Sequence, residues 1–121
     1  MKIENAKTKT KTRTRTPMPG KPGRGTTTGR PIMALIELMG RRWVLRILWE
    51  LRSGALTFRA LQEACGNISP SVLNQRVGDL RETALVELSE DGYRLTKLGR
   101  ELLAHLLPLT LWSETWAKAL R

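Results

Sequence analysis

Cysteine and histidine occur once each, as Cys65 and His105, and only 11 acidic residues face 21 basic ones in the 121-residue chain. Each scarcity excludes something. One cysteine allows no internal disulfide framework and no cysteine-rich zinc site, which fits a reducing cytosol. No local motif links His105 to Cys65, so the sequence offers no nucleophile with a matching base and no metal-ligand cluster. A lone histidine on an apolar helix reads as a packed or partly exposed side chain, and a lone cysteine in an apolar stripe as a small hydrophobe. Charged or polar residues interrupt every hydrophobic stretch, so none approaches the roughly 20 residues that span a bilayer. The basic N-terminus lacks the apolar segment of a secretory signal. The glycines of PGKPGRG have neither the strand before nor the helix after that a phosphate-cradling loop requires. These absences describe a cytoplasmic protein that is not an enzyme, with no cofactor, no metal and no membrane partner.

What is present divides unevenly. Residues 1–31 carry nine Lys or Arg and one Glu, whereas residues 32–121 carry twelve basic and ten acidic side chains. The formal charge of +10 is therefore mostly a property of the N-terminal segment. Within it KTKTKTRTRTPMPGKPGRGTTTGRP, residues 7–31, alternates base and Thr and then turns to Pro and Gly. It has nothing apolar to bury against the entropy of ordering, and it is expected to be a disordered tail. Such a tail either solubilises the chain or follows nucleic-acid phosphates by releasing their condensed counterions. Residues 32–121 are expected to form one folded domain.

Along that domain IMALIELM, residues 32–39, predicts a short helix stopped by Gly40. RRWVLRILWELRSG starts another, with Trp43, Val44, Ile47, Leu48 and Leu51 on the core stripe. Leu45 and Trp49 lie on a different side, so this helix should be buried on two faces. TFRALQEACG predicts a helix capped by Thr57 and ended by Gly66, with Phe58, Leu61, Ala64 and Cys65 inward. ISPSVLNQRVGDL follows at once: Ser69 caps, Pro70 suits the first turn, and Leu73, Val77 and Leu80 recur at helical spacing. Two short helices joined by a glycine-containing turn are the layout of a helix-turn-helix.

Next, LVELSEDGYRL holds Asp91-Gly92, a strong two-residue hairpin signal, and pairing Glu90 with Tyr93 would set Leu88 opposite Leu95. From Thr96 the chain is helical with two apolar stripes. Leu98, Leu102, Leu106, Leu109, Trp116 and Leu120 lie on one side, and Leu103, Leu107 and Leu111 well round from it. Pro108 is expected to kink or split this helix. The surplus stripe is covered either by the kinked halves folding back or by a second copy of the chain, and the dimer is the reading favoured here.

A hairpin directly after the second helix of such a pair is a wing. The fold class is thus mainly α with a small two-stranded hairpin, a winged helix-turn-helix. In that fold the mild, uncharged face of residues 69–78 acquires a role. Asn and Gln match adenine, Arg matches guanine and Ser serves either. The groove-facing candidates are Ser69, Ser71, Asn74, Gln75 and Arg76. Arg76 lies near the edge of the apolar stripe, where a phosphate or an internal partner is the alternative. Candidates for the phosphate backbone are Thr57, through its helix N-terminus, with Arg59, Arg94 and Lys97.

From residue 32 to residue 116 the chain resembles the HxlR-type family of winged helix-turn-helix transcription regulators, relatives of the MarR group. The resemblance is carried by GRRWVLRILWELRSGALTFRALQ, NISPSVLNQRVGDLRETALV, YRLTKLGRELL and a Trp-bearing last helix. It implies a dimeric, cytoplasmic bacterial DNA-binding regulator with dimer contacts from the first and last helices. It also implies that residues 70–82 read the major groove while the wing approaches the minor groove. This chain departs from the family pattern in four places. Arg30-Pro31-Ile32 stands where members commonly carry a cysteine, the wing is short and holds Glu87, Glu90 and Asp91, Gly78 replaces a basic or polar residue, and Thr83-Ala84 replaces Asp-Gly.

The reading is a homodimeric, sequence-specific double-stranded DNA-binding transcription regulator on a pseudo-palindromic operator. Dimerisation falls to Leu103, Leu107, Leu111, Trp112 and Trp116. The tryptophans either belong to packed surfaces or line a pocket for a small-molecule effector of unknown identity. The alternative is a winged-helix protein-interaction module that docks through its apolar last helix.

Overall fold

The computed structural model describes residues 16–21 and 29–121. The described residues fall into two compact units, the first ending at Leu38 and the second running Met39–Arg121. In the first, the Lys21 N–H donates to the Met18 carbonyl at 3.2 Å and the Gly20 N–H to the Gly29 carbonyl at 2.8 Å. The other residues of the expected tail, 1–15 and 22–28, lie outside the described residues. Helix α1 spans Pro31–Met39, one residue longer than its periodicity suggests, and buries Ala34 and Leu38.

The second unit begins with a correction. The next helix, α2, spans only Val44–Glu50, because Trp43 takes a left-handed conformation at φ 79° and cannot continue a helix backwards. Arg41 and Arg42 therefore sit in a turn. Val44, Ile47, Leu48 and Leu51 form the buried stripe as expected, with Trp43 half-buried. The second face is not covered among the described residues: Leu45 and Trp49 remain 45 % and 39 % exposed.

Helix α3, Phe58–Ala64, starts where Thr57 Oγ1 accepts the Ala60 N–H at 3.1 Å. Helix α4, Pro70–Glu82, starts where Ser69 Oγ accepts the Val72 N–H at 3.3 Å. Each hydroxyl satisfies one orphan donor of a helix start, worth about 1 kcal/mol. Between them Gly66 and Asn67 both turn left-handed, at φ 76° and 60°. The Gln62 side chain donates to the Ile68 carbonyl at 3.0 Å, fixing the turn. Ile68 and Leu73, the residues before the cap and in the first turn, are both buried, as in a hydrophobic staple.

The wing pairs strands β1, Val86–Ser89, and β2, Gly92–Leu95, antiparallel. Its register differs from that expected by two residues: Val86 faces Leu95 and Leu88 faces Tyr93, so the tight turn is Glu90-Asp91 rather than Asp91-Gly92. Two observations explain the shift. Val86 and Leu95 are the buried pair, whereas Leu88 is exposed. Ser89 Oγ closes the turn, donating to the Gly92 carbonyl at 2.7 Å and accepting the Asp91 N–H at 3.3 Å. A third partner went unseen in the sequence: Leu56 bridges Tyr93 through reciprocal backbone bonds of 2.9 and 2.8 Å. Gly92, at φ 120°, admits that approach, since a Cβ there would collide with the Leu56 carbonyl.

Helix α5 runs Lys97–Ala119 without a break through Pro108, so of the kink or split expected there the split does not occur, and its halves do not fold back. Its first turn packs so closely on the preceding segment that a Cβ at Gly99 would strike the Leu85 carbonyl. At 23 residues, roughly 34 Å, it outruns the core. Leu102, Leu103 and Leu106 are half-buried, and every residue from Leu107 to Arg121 is exposed. Leu109, Trp116 and Leu120, which share an apolar stripe with Leu102 and Leu106, lie beyond the core.

The exit of α4 holds a strained residue. The Leu85 N–H bonds to the Leu80 carbonyl at 2.9 Å and the Ala84 N–H to the Arg81 carbonyl at 3.1 Å, the two bonds of a Schellman motif. Ala84 occupies its left-handed position at φ 65°. The geometry usual with glycine is thus kept with alanine, held by Thr96 Oγ1 donating to the Ala84 carbonyl at 2.7 Å. Ala84→Gly is expected to stabilise the domain by about 1 kcal/mol, read as a higher denaturant midpoint with unchanged slope; an unchanged midpoint would show that Ala84 carries no strain.

Cys65 ends α3 in the core and is 1 % exposed. Burial pushes its thiol pKa up, Arg46 pulls the other way and Glu50 adds to the rise. A raised pKa leaves less thiolate at pH 8. Alkylation of the native protein at that pH is expected to be at least about tenfold slower than in denaturant, and equal rates would contradict the burial.

Candidate nucleic-acid interface

The surface built by α3 and α4 follows from how α4 is anchored. Leu73, Val77 and Leu80 are buried at 0–2 % exposure, so Ser71, Asn74, Gln75 and Gly78 turn outward. Ser71 Oγ lies 3.2 Å from Ser69 Oγ, within the cap. Asn74 and Gln75 are exposed and make no side-chain hydrogen bond among the described residues. Their amides remain available to pair outside the chain. A Cβ at Gly78 would meet nothing within 4 Å, so this glycine leaves space on the outer face and relieves no internal clash.

Arg76 is placed differently from its neighbours. Its side chain is 21 % exposed and its Nη1 donates at 2.8 Å to Oδ2 of Asp79, three residues on. The Asp79 side chain is fully buried, and Arg41, from the turn ahead of α2, donates to the same oxygen at 3.0 Å. Of the two positions open to Arg76 in the sequence, the internal one is occupied. Buried Arg76 Nε has no hydrogen-bond partner among the described residues. Sequence reasoning missed Arg41 altogether. The Arg76–Asp79 spacing of three was a readable signal, but nothing local joins Asp79 to a residue 38 positions earlier.

The phosphate candidates lie on three elements, α3, β2 and α5. Thr57 stands at the α3 N-terminus, where Arg59 is extended, 87 % exposed and loosely paired with Glu63 at 3.7 Å. Lys97 is exposed in the first turn of α5. Arg94, on β2, is engaged at 2.7 Å by Glu87, its cross-strand partner. The wing's one outward arginine therefore arrives with its charge half-compensated by a carboxylate.

The dimerisation candidates lie along α5. Leu103 and Leu107, with Leu106 and Thr110, meet Leu45 and Trp49 of α2 around an open groove of about 220 Å³. Leu111 is 72 % exposed, and Trp112 and Trp116 stack with ring centroids 6.2 Å apart while staying more than half exposed. Among the described residues no cluster of His, Cys, Asp or Glu could hold a metal ion, and no helix is long and apolar enough to cross a membrane.

Known proteins share this arrangement. Residues 38–121 match the HxlR-like helix-turn-helix family. An uncharacterized HTH-type transcriptional regulator of Methanocaldococcus jannaschii is 26 % identical over 92 residues, covering 72 % of this chain and 86 % of the relative. One from Mycobacterium bovis is 35 % identical over 95 residues, covering 73 % of this chain and 60 % of the relative. Among solved structures, quinone-bound YodB of Bacillus subtilis superposes with a TM-score of 0.66 at 27 % identity, covering 69 % of this chain and 96 % of that one. A possible HxlR family transcriptional factor of Thermoplasma volcanium gives 0.63 at 25 % identity, covering 73 % and 85 %. A winged helix-turn-helix with these relatives is a transcription regulator rather than an enzyme, and the chain belongs to the HxlR-like helix-turn-helix family.

Proposed function

We propose that the protein is a homodimeric regulator that works in the cytoplasm, binding double-stranded DNA sequence-specifically with α4 in the major groove. The observation that carries this reading is the row Ser71, Asn74 and Gln75: outward and uncharged, with both amides unpartnered among the described residues, on a helix whose opposite side is locked into the core. An uncharged amide gains little from phosphate but pairs bidentately with adenine, and a serine hydroxyl either donates or accepts. Ser69 and Thr57 cap helices whose N-terminal amides suit phosphate oxygens, while Arg59 and Lys97 supply charge on either side. Arg94 joins them after exchanging Glu87 for a phosphate.

Two copies joined through α5, with Leu103, Leu107, Leu111, Trp112 and Trp116 in the interface, would cover the apolar surface that this helix leaves open. Two-fold symmetry then calls for a pseudo-palindromic operator with half-sites about 34–36 Å apart or a multiple of it. The Glu87–Arg94 pair favours a second reading, a winged helix that docks another protein. Gel shift on genomic fragments separates the two, because a protein-docking module retains none specifically.

On a selected operator, Asn74→Ala or Gln75→Ala is expected to lose about tenfold to a hundredfold in affinity with binding to unrelated DNA unchanged. Arg59→Ala or Lys97→Ala should weaken binding to every sequence and lower the salt slope by about 1. Discrimination left intact by both amide variants would overturn the assignment of α4. Separately, Leu107→Glu with Leu111→Glu should convert the dimer to a folded monomer in sedimentation and abolish operator binding at the dimer's working concentration; a dimer that survives both charges would place the interface elsewhere.

A further inference from the structure

The reading face of α4 is uncharged although an arginine stands in its midst, between Gln75 and Val77. We propose that Asp79 is a specificity-determining positioning residue: it draws the Arg76 guanidinium inward, so that Ser71, Asn74 and Gln75 read the groove without it. This inference rests on the DNA-reading role proposed above and goes beyond it, to what sets the selectivity of that face.

Three observations support it. Asp79 is fully buried, yet it belongs to the helix that carries Ser71, Asn74 and Gln75 outward, and it receives guanidinium groups from two directions, Arg41 and Arg76. Arg41 supplies a cation to the carboxylate from outside the helix, so the bond from Arg76 is not the only source of compensation. Arg76 gains little else from its inward pose. The bond to Asp79 is its one side-chain hydrogen bond among the described residues, and its buried Nε has no partner. Remove the carboxylate charge and the guanidinium loses its ion pair and keeps at most a neutral amide oxygen, while water or a phosphate would satisfy its remaining donors.

The consequence lies in selectivity. A mobile guanidinium beside the groove seeks phosphate on any sequence, and each such contact adds about 0.9 to the salt slope without reading a base. Withdrawn onto Asp79, the same charge anchors the helix and adds no indiscriminate affinity.

The test uses full-length protein, a selected operator and an unrelated duplex, each titrated across salt by fluorescence anisotropy. Asp79→Asn keeps the shape of the side chain and an oxygen for Arg41. It is expected to tighten binding to the unrelated duplex severalfold, steepen the slope by about 0.9 and narrow the gap between the two duplexes. Arg76→Ala should leave the slope as in wild type, and the double variant Asp79→Asn with Arg76→Ala should return to it. Glu82→Gln, an exposed residue on the same helix, makes the same charge change without freeing an arginine and should fall well short of Asp79→Asn. A slope lowered by Arg76→Ala would overturn the proposal, as would an Asp79→Asn effect that survives loss of Arg76 or is matched by Glu82→Gln. If Asp79→Asn does not fold, Arg76→Ala alone still decides. A wild type with no preference for any sequence would defeat the DNA-reading role and this inference together, whereas a selective wild type with a lowered Arg76→Ala slope defeats only the latter.

Discussion

A carboxylate with no access to water fixes the position of the helix on which everything else depends. Asp79 lies on the core-side edge of α4, and a buried charge is tolerable only when compensated by neighbouring opposite charge and hydrogen bonds. Arg41 reaches it from the turn before α2 and Arg76 from the same helix. The pair from Arg41 is directional and ties α4 to the start of α2, whereas Leu73, Val77 and Leu80 supply burial that would tolerate some sliding. Leaving such a carboxylate without either guanidinium would typically cost about 3–5 kcal/mol, since a charge is then uncompensated inside. Net stabilisation is a different matter, because desolvation offsets much of the attraction. The cluster's contribution is therefore the rotation and depth of α4.

The turns around α4 serve the same end. Its start is fixed by the Ser69 cap and the left-handed pair Gly66 and Asn67, its finish by the Schellman bonds through Ala84. That finish leads directly to Leu85, whose carbonyl accepts the Thr96 N–H at 3.0 Å and lies against Gly99. Thr96 in turn spans three elements, donating to the Ala84 carbonyl and accepting the Gly99 N–H. Wing, α4 and long helix thus meet at one hydroxyl. A left-handed alanine costs about 1–2 kcal/mol, and these bonds account for its persistence where a glycine would be easier.

Local signals carried most of the fold. Each cap, Thr57 and Ser69, sits beside the helix it starts, and the stripes of α2, α3 and α4 are written at helical spacing, so element order and the buried residues of the middle helices were legible. Four features were not. The left-handed Trp43 follows no residue preference, and only the geometry of the turn enforces it. The hairpin register was decided by which valine and leucine are buried and by the Ser89 hydroxyl, both of which outweigh an Asp-Gly dipeptide. Proline normally ends a helix interior by clash and a lost bond, yet α5 continues through Pro108 in a stretch exposed to solvent, where a freed carbonyl can be hydrated. The pairing of Leu56 with Tyr93 and of Arg41 with Asp79 joins residues 37 and 38 positions apart, which no local pattern encodes.

The charge distribution ties these observations to function. Residues 32–121 are nearly neutral, with twelve basic against ten acidic side chains, and several arginines already face carboxylates: Arg46 with Glu50, Arg59 with Glu63, Arg76 with Asp79, Arg94 with Glu87. These pairs differ in what they withhold. Arg59 and Glu63, 3.7 Å apart and largely in water, interact weakly, so the exchange for a phosphate is easy. Arg94 and Glu87 sit closer, at 2.7 Å, but both are about half exposed, and a phosphate with its condensed counterions can still compete. Arg76 faces a carboxylate with no water around it, so its exchange is opposed by desolvation as well as by distance. On the DNA-reading role proposed above, the gradient from exposed to buried pair becomes a gradient of availability to phosphate, and the neutral amides and hydroxyls of α4 are left to select on bases.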